Sequence, residues 1–135
     1  MKTLRELTEN VRAGRPLEIE LGDFLDGFYL TPEAATVQEP PPTLAGAHAD
    51  GEMLDAFVAG VAEHLCRRFA LPIPEWVYAP DRFLERPFFA LKAPAFRATL
   101  LLESPMEFRS RNLFVTANAL SRAAEHDSAT PGIVK

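Results

Sequence analysis

The stretch 51-GEMLDAFVAGVAEHLCRRFA-70 decides the fold of this chain. Its apolar residues recur at i, i+3, i+4 and i+7, which is the spacing of one helix face; they are Leu54, Phe57, Val58, Val61, Ala62, Leu65, Cys66 and Phe69. Asp50 is a candidate N-cap, and Pro72 stops the pattern. Arg67 and Arg68 suit the negative end of a helix dipole. The pattern predicts a helix over residues 51–70 at the centre of the core.

Two further helices are predicted before this stretch. Thr3 and Glu6 have the spacing of a capping box, and Gly14 and Pro16 end the first helix. A second helical face then follows, formed by Leu21, Phe24, Leu25, Phe28 and Tyr29. Gly22 lies inside that pattern and weakens it, because glycine costs up to about 1 kcal/mol relative to alanine in a helix.

Prolines divide the rest of the chain. Residues 31–48 are rich in proline and alanine, with three consecutive prolines at 40–42, and are predicted to be a loop with polyproline character. After residue 72 prolines recur every few residues, so that only short helices fit between them. Pro80 and Pro94 are expected at the first position of such helices.

The last part of the chain is predicted to alternate short helices with an extended link. Ser104, Pro105 and Glu107 form a second capping-box pattern. Residues 113–115 are expected to form a buried extended link, with no pattern long enough for a sheet. Thr116 is a candidate cap for a last helix that runs to about residue 124.

These elements predict an all-α, mostly helical fold. We expect a compact bundle around one long central helix, with short proline-capped helices in the C-terminal half. A single helical domain would cover residues 1–124, including the Pro-rich loop at 31–48, and residues 125–135 would be a disordered tail.

Composition favours a cytoplasmic protein without cofactors. The chain of 135 residues has one cysteine, no apolar segment long enough to span a membrane, and a charged N-terminus unlike a signal peptide. The net charge of −5 is uneven: it is −8 over residues 1–66 and +4 over residues 67–122. Overall acidity disfavours general nucleic-acid binding and suits a protein that binds another protein.

No residue pattern supports catalysis. The chain has no Gly-rich phosphate loop, nucleophile elbow or zinc cluster. Cys66 lies on the apolar stripe and is interpreted as a core residue. His64 would need a metal-binding partner one turn away, where Gly60 and Arg68 stand. We therefore expect no enzyme activity, no metal and no cofactor.

Arginines among aromatic residues supply the candidate binding site. The candidate partner-binding residues are Trp76, Arg82, Arg86, Arg109, Arg111 and Asn112. Arginine at such places can fork onto a carboxylate or stack on a ring, either across an interface or within the chain. An internal clamp, for example to Glu85 or Glu107, is an equally good interpretation.

The segments PEW (74–76), RFLERPFF (82–89) and SPMEFRSRNLFV (104–115) carry a resemblance. Residues 58–124 resemble small bacterial proteins of unassigned activity and the C-terminal part of antitoxin-like proteins. Those proteins also contain a helix-turn-helix and accompany nucleotidyltransferase-like toxins, whereas this chain has no recognisable helix-turn-helix. The resemblance implies a protein partner of the toxin kind, and no membrane.

The expected function is a non-catalytic protein-binding component, in particular an antitoxin that neutralises a toxin by direct contact. The alternative is a transcriptional regulator that binds DNA through the basic C-terminal half.

Overall fold

In the computed structural model, which describes residues 2–122, the chain is mostly helical with one small sheet, and this confirms the predicted fold class. The α-helices are α1 (Leu4–Arg12), α2 (Leu17–Leu30), α3 (Ala35–Gln38), α4 (Gly51–Arg68), α5 (Arg97–Glu103) and α6 (Met106–Arg109). Short 3-10 helices cover Glu75–Tyr78, Pro80–Arg82 and Pro94–Phe96. Strands β1 (Phe88–Phe89) and β2 (Leu113–Phe114) pair in parallel.

The two predicted N-terminal helices are present as α1 and α2, and they pack against each other. The capping box of α1 is present in full, since Thr3 and Glu6 exchange side-chain and backbone hydrogen bonds. Glu20 of α2 is fully buried between the two helices, where its carboxylate accepts hydrogen bonds from Lys2 (2.6 Å), Asn10 (2.8 Å) and Arg15 (2.8 Å). A buried carboxylate with three donors fixes the angle between α1 and α2.

α4 is buried on nearly every side rather than along one stripe. Its buried residues include the predicted apolar face, except Phe69, which lies after the helix and is partly exposed, and also Gly51, Asp55, Ala56, Ala59, Gly60 and Glu63. The helix ends at Arg68, and Ala70 has left-handed backbone (φ 56°). Small residues let neighbours approach closely: a Cβ on Gly60 would lie 2.6 Å from the Phe108 ring, and one on Gly51 would lie 2.0 Å from the Leu44 carbonyl oxygen.

The Pro-rich segment 31–48 is more ordered than the predicted loop. It contains the one-turn helix α3, and it buries Val37 and Leu44 in the core. Asp50 makes no side-chain cap, so that prediction is wrong. Asp55 instead accepts hydrogen bonds from the backbone N–H groups of Leu44 (2.6 Å) and Ala45 (3.2 Å), which ties this segment to the first turns of α4.

In the C-terminal half, Pro80 and Pro94 take the positions predicted for them, but Ser104 does not form the predicted cap. Pro80 and Pro94 each begin a 3-10 helix. The predicted capping box at Ser104 is wrong: the Ser104 hydroxyl donates to the Leu100 carbonyl oxygen (2.6 Å) and accepts from the Val115 N–H (2.8 Å). Ser104 therefore joins the end of α5 to the chain that follows β2.

The extended link at 113–115 is buried as predicted, and it forms a sheet that the sequence did not indicate. Phe88 is in register with Leu113, and Phe89 with Phe114. The predicted last helix is wrong within residues 116–122, where the chain forms only turns. Residue 124 and the predicted disordered tail lie outside the described residues. Across residues 2–122, no helix is both long enough and apolar enough to cross a membrane.

Replacement of Gly51 tests the close approach at the start of α4. Gly51→Ala should lower the free energy of unfolding by about 1–3 kcal/mol, because the new Cβ meets backbone, and this outweighs the better helix propensity of alanine. Gly22→Ala is the matched control, since its Cβ would meet only the flexible end of Arg122 at 3.2 Å. The control should be neutral or stabilising by up to about 1 kcal/mol in urea denaturation. Equal changes in the free energy of unfolding for the two substitutions would contradict the close approach of the Leu44 backbone to Gly51.

Acid titration tests the Glu20 site. Hydrogen bonds from Lys2, Asn10 and Arg15 lower the pKa of Glu20 to about 2 from an ordinary 4.5. A lowered pKa adds stability that is fully present above the ordinary value and is lost as the pH falls towards 2. Glu20→Gln should therefore be destabilised at pH 7 and approach the wild type as the pH falls. Glu18→Gln, at an exposed position on the same helix, should show no such convergence in thermal melts.

Candidate functional site

Arg111 is fully buried and holds three parts of the molecule together. Its guanidinium donates to the Glu63 carboxylate (2.6 Å) and to the carbonyl oxygens of Glu107 (2.7 Å) and Val77 (2.7 Å). It also lies 4.7 Å from the centre of the Phe83 ring. The contacts join α4, α6 and the 3-10 helix at Glu75–Tyr78. Of the two interpretations of Arg111, the structure shows the internal clamp, although its carboxylate comes from α4.

The Glu63 carboxylate continues this network to the surface. Its second oxygen accepts hydrogen bonds from Arg67 (2.9 Å) and from the Tyr78 hydroxyl (2.9 Å). Burial raises the pKa of Glu63, but the hydrogen bonds from its three partners outweigh burial and leave that pKa below its ordinary value. Glu63 is therefore a charged structural residue with no free oxygen for proton transfer.

Arg82 forms a second internal clamp. Its guanidinium donates to the Pro41 carbonyl oxygen (2.7 Å), lies 3.9 Å from the Asp55 carboxylate, and stacks 4.9 Å from the centre of the Trp76 ring. Burial lowers the pKa of Arg82 and raises that of Asp55. The Trp76 indole N–H donates to the Val37 carbonyl oxygen (2.9 Å). Arg82 and Trp76 thus attach the 31–48 segment to α4.

The other candidate residues fall into two groups. Asn112 has a left-handed backbone (φ 63°), and its side-chain amide donates to the Leu84 carbonyl oxygen (3.0 Å). It therefore shapes the turn that leads into β2. Arg86 and Arg109 are exposed, and the contact of Arg109 with the Leu101 carbonyl oxygen is long at 3.5 Å. Of the six candidates, Arg86 and Arg109 are exposed, Trp76 and Asn112 are partly exposed, and Arg82 and Arg111 are buried.

The titratable side chains whose chemistry would suit catalysis, His64 and Cys66, are respectively in contact with a carboxylate and buried. Nδ1 of His64 lies 2.9 Å from the Glu107 carboxylate. Cys66 is buried, and burial raises the pKa of its thiol to about 11, so it is a core residue as interpreted from the sequence. Within residues 2–122, no group of three or more His, Cys, Asp or Glu side chains is arranged to hold a metal ion.

An open cleft of about 790 Å³ lies between residues 45–53 and 80–88. Its walls carry the acids Asp50, Glu52, Asp81 and Glu85, with Arg86 opposing them. Acids on an open surface are typical of solvated side chains. These four acids are therefore interpreted as solvated side chains.

The feature that sequence reasoning missed is an exposed apolar arm, residues 90–106. Residues 90–99 are exposed without interruption. The exposed large apolar side chains of the arm are Leu91 (39%), Phe96 (47%), Leu101 (45%), Leu102 (80%) and Met106 (50%). Within the arm, Leu100 is buried outside the main core, and the Ser104 hydroxyl accepts a hydrogen bond from the N–H of Val115, the residue that follows β2. The number of apolar residues in this segment does not distinguish an exposed arm from a segment of the core.

Comparison of the chain with protein-family models, with curated proteins and with solved structures finds no significant match.

Replacement of Arg111 should strongly lower the stability of the fold, because the Glu63 carboxylate would remain buried without its closest partner. Arg111→Met should lower the free energy of unfolding by about 3–5 kcal/mol. Adding Glu63→Leu should recover part of that loss, since the unpaired charge is removed. Arg109→Met, two residues away and exposed, should change stability by less than about 0.5 kcal/mol. A small effect of Arg111→Met in guanidinium denaturation would contradict the clamp.

Proposed function

We propose that this protein is a non-catalytic, cytoplasmic protein-binding component whose partner covers the exposed apolar arm. The observation that carries the proposal is the arm itself. Soluble proteins seldom leave contiguous apolar surface in water unless it binds something. The arm holds five of the large apolar side chains that the described residues expose, whereas Ile19, Leu30 and Tyr78 are the others.

The internal roles of the buried arginines strengthen this choice of surface. The hydrogen bonds that the guanidinium groups of Arg82 and Arg111 donate go to acceptors within the chain. A partner would therefore meet the arm together with exposed neighbours such as Arg109. Apolar anchors ringed by polar groups are the usual composition of an interface centre and its rim.

The resemblance of residues 58–124 to antitoxin-like proteins favours a toxin as the partner. In this proposal the protein acts stoichiometrically: it covers a surface that the toxin needs and carries out no reaction of its own. A DNA-binding regulator has less support, because the two buried arginines cannot neutralise phosphates.

Capture followed by matched substitutions tests the proposal. The tagged chain is used to isolate a stoichiometric partner, which is identified, purified and titrated against variants. Leu101→Gln/Leu102→Gln should weaken binding by about 30-fold or more, since the two leucines would lose their burial. Ile19→Gln/Leu30→Gln removes two similarly exposed apolar side chains from α2 and should bind like the wild type.

Thermal melts of both double variants serve as the folding control, and both should unfold cooperatively near the wild-type temperature. Two results would overturn the proposal. One is that no partner binds stoichiometrically; the other is that the arm variant binds the partner as tightly as the wild type.

A further inference from the structure

Positive charge borders the apolar arm. Lys92, Arg97 and Arg109 lie in or beside it, and Glu103 is the one acid among residues 90–106. The Lys92 ammonium lies 3.8 Å from the centre of the Phe88 ring, and the Arg97 guanidinium lies 5.0 Å from that of Phe89. Phe89 in turn stacks on Phe114, with ring centres 5.0 Å apart. These contacts hold two cations in place along the arm.

The cations of the arm differ from most others in the chain because they have no acid partner. Elsewhere Lys2 and Arg15 pair with Glu20, Arg67 pairs with Glu63, and Arg122 pairs with Asp26. Among residues 2–122, no carboxylate lies within 4.0 Å of the cationic nitrogens of Lys92, Arg97 or Arg109. Within the part of the chain that the structure describes, the positive charges of Lys92, Arg97 and Arg109 are therefore not paired with a carboxylate.

From this juxtaposition, and resting on the proposed function, we infer that the arm fits a partner surface of one kind: an apolar groove with an acidic rim. The groove would receive Phe96, Leu101 and Leu102. Its carboxylates would meet Lys92, Arg97 and Arg109. Because ring contacts already hold two of these cations, little side-chain freedom is lost when they pair with the partner.

Two other occupants fit the arm less well. A nucleic acid or anionic membrane would also attract the cations, but the N-terminal half of the chain carries a charge of −8 over residues 1–66 and would repel an extended polyanion. A second copy of this chain is tested by the self-association measurement below; its helix α2 is acidic and exposes Ile19 and Leu30. Those residues are separated by roughly 16 Å along the helix, too far apart for a continuous apolar groove.

A pair of synthetic helical peptides of about 20 residues tests the inference without knowledge of the partner. Both carry leucines at the same helix positions; the flanking positions are glutamates in one peptide and lysines in the other. The acid-flanked peptide should bind the full chain at least about 10-fold more tightly at low salt. That preference should shrink as salt screens the rim charges.

Matched variants assign the preference to the arm. Arg97→Gln/Arg109→Gln should reduce the preference for the acid-flanked peptide. Arg5→Gln/Arg12→Gln removes the same charge from exposed positions on α1 and should leave the preference unchanged. Leu101→Gln/Leu102→Gln should weaken binding of the acid-flanked peptide while its salt dependence remains.

Three results would overturn the inference. One is equal binding of the two peptides, or binding of neither. Another is tighter binding to duplex DNA or to anionic phosphatidylserine vesicles than to the acid-flanked peptide. The last is self-association in sedimentation velocity that Leu101→Gln/Leu102→Gln abolishes. None of the peptide results bears on the proposed function, which depends on the captured partner and on the leucine variants titrated against it.

Discussion

The ion pair between Arg111 and Glu63 is the contact on which the surroundings of α4 depend. A guanidinium removed from water needs acceptors for its donors, and here a carboxylate and two carbonyl oxygens supply them for the two terminal nitrogens, whereas the buried Nε has no hydrogen-bond partner among residues 2–122. Those acceptors belong to α4, α6 and the 3-10 helix at Glu75–Tyr78. The short elements of the C-terminal half, too small to be stable alone, are thereby held against the central helix.

A second constraint is that α4 has almost no solvent face. A helix enclosed on every side needs small residues where neighbours approach and paired charges where polar groups are buried. Gly60 provides the space for Phe108, and Asp55 has both backbone N–H donors and Arg82 nearby. A charged residue such as Arg82, which the sequence presents as a candidate binding residue, therefore pairs with a buried polar group inside the protein.

The buried charges of the molecule are paired internally. The groups that we propose a partner contacts are the exposed apolar and cationic side chains of the arm at residues 90–106. The arm attaches to the rest of the fold through Leu100, Ser104 and the stacked rings of Phe89 and Phe114. Its apolar side chains and unpaired cations together define a surface that is unfavourable in water and favourable against an apolar, acid-rimmed groove.

The sequence by itself determined the elements whose signals are local. The capping box at Thr3 and Glu6, the presence of helices α2 and α4, and the 3-10 helices that begin at Pro80 and Pro94 follow from hydrogen bonds, sterics and apolar spacing within a few residues. Only the tertiary structure decided which charged and apolar residues face inward. Arg111 meets a glutamate that lies 48 positions earlier, and Ser104 bonds to Leu100 and to Val115, the residue after β2, rather than capping α6, because contacts between distant segments outweigh a local cap. Leu101 and Leu102 are exposed while neighbouring Leu100 is buried, since exposure depends on what packs nearby, and a local pattern does not record that.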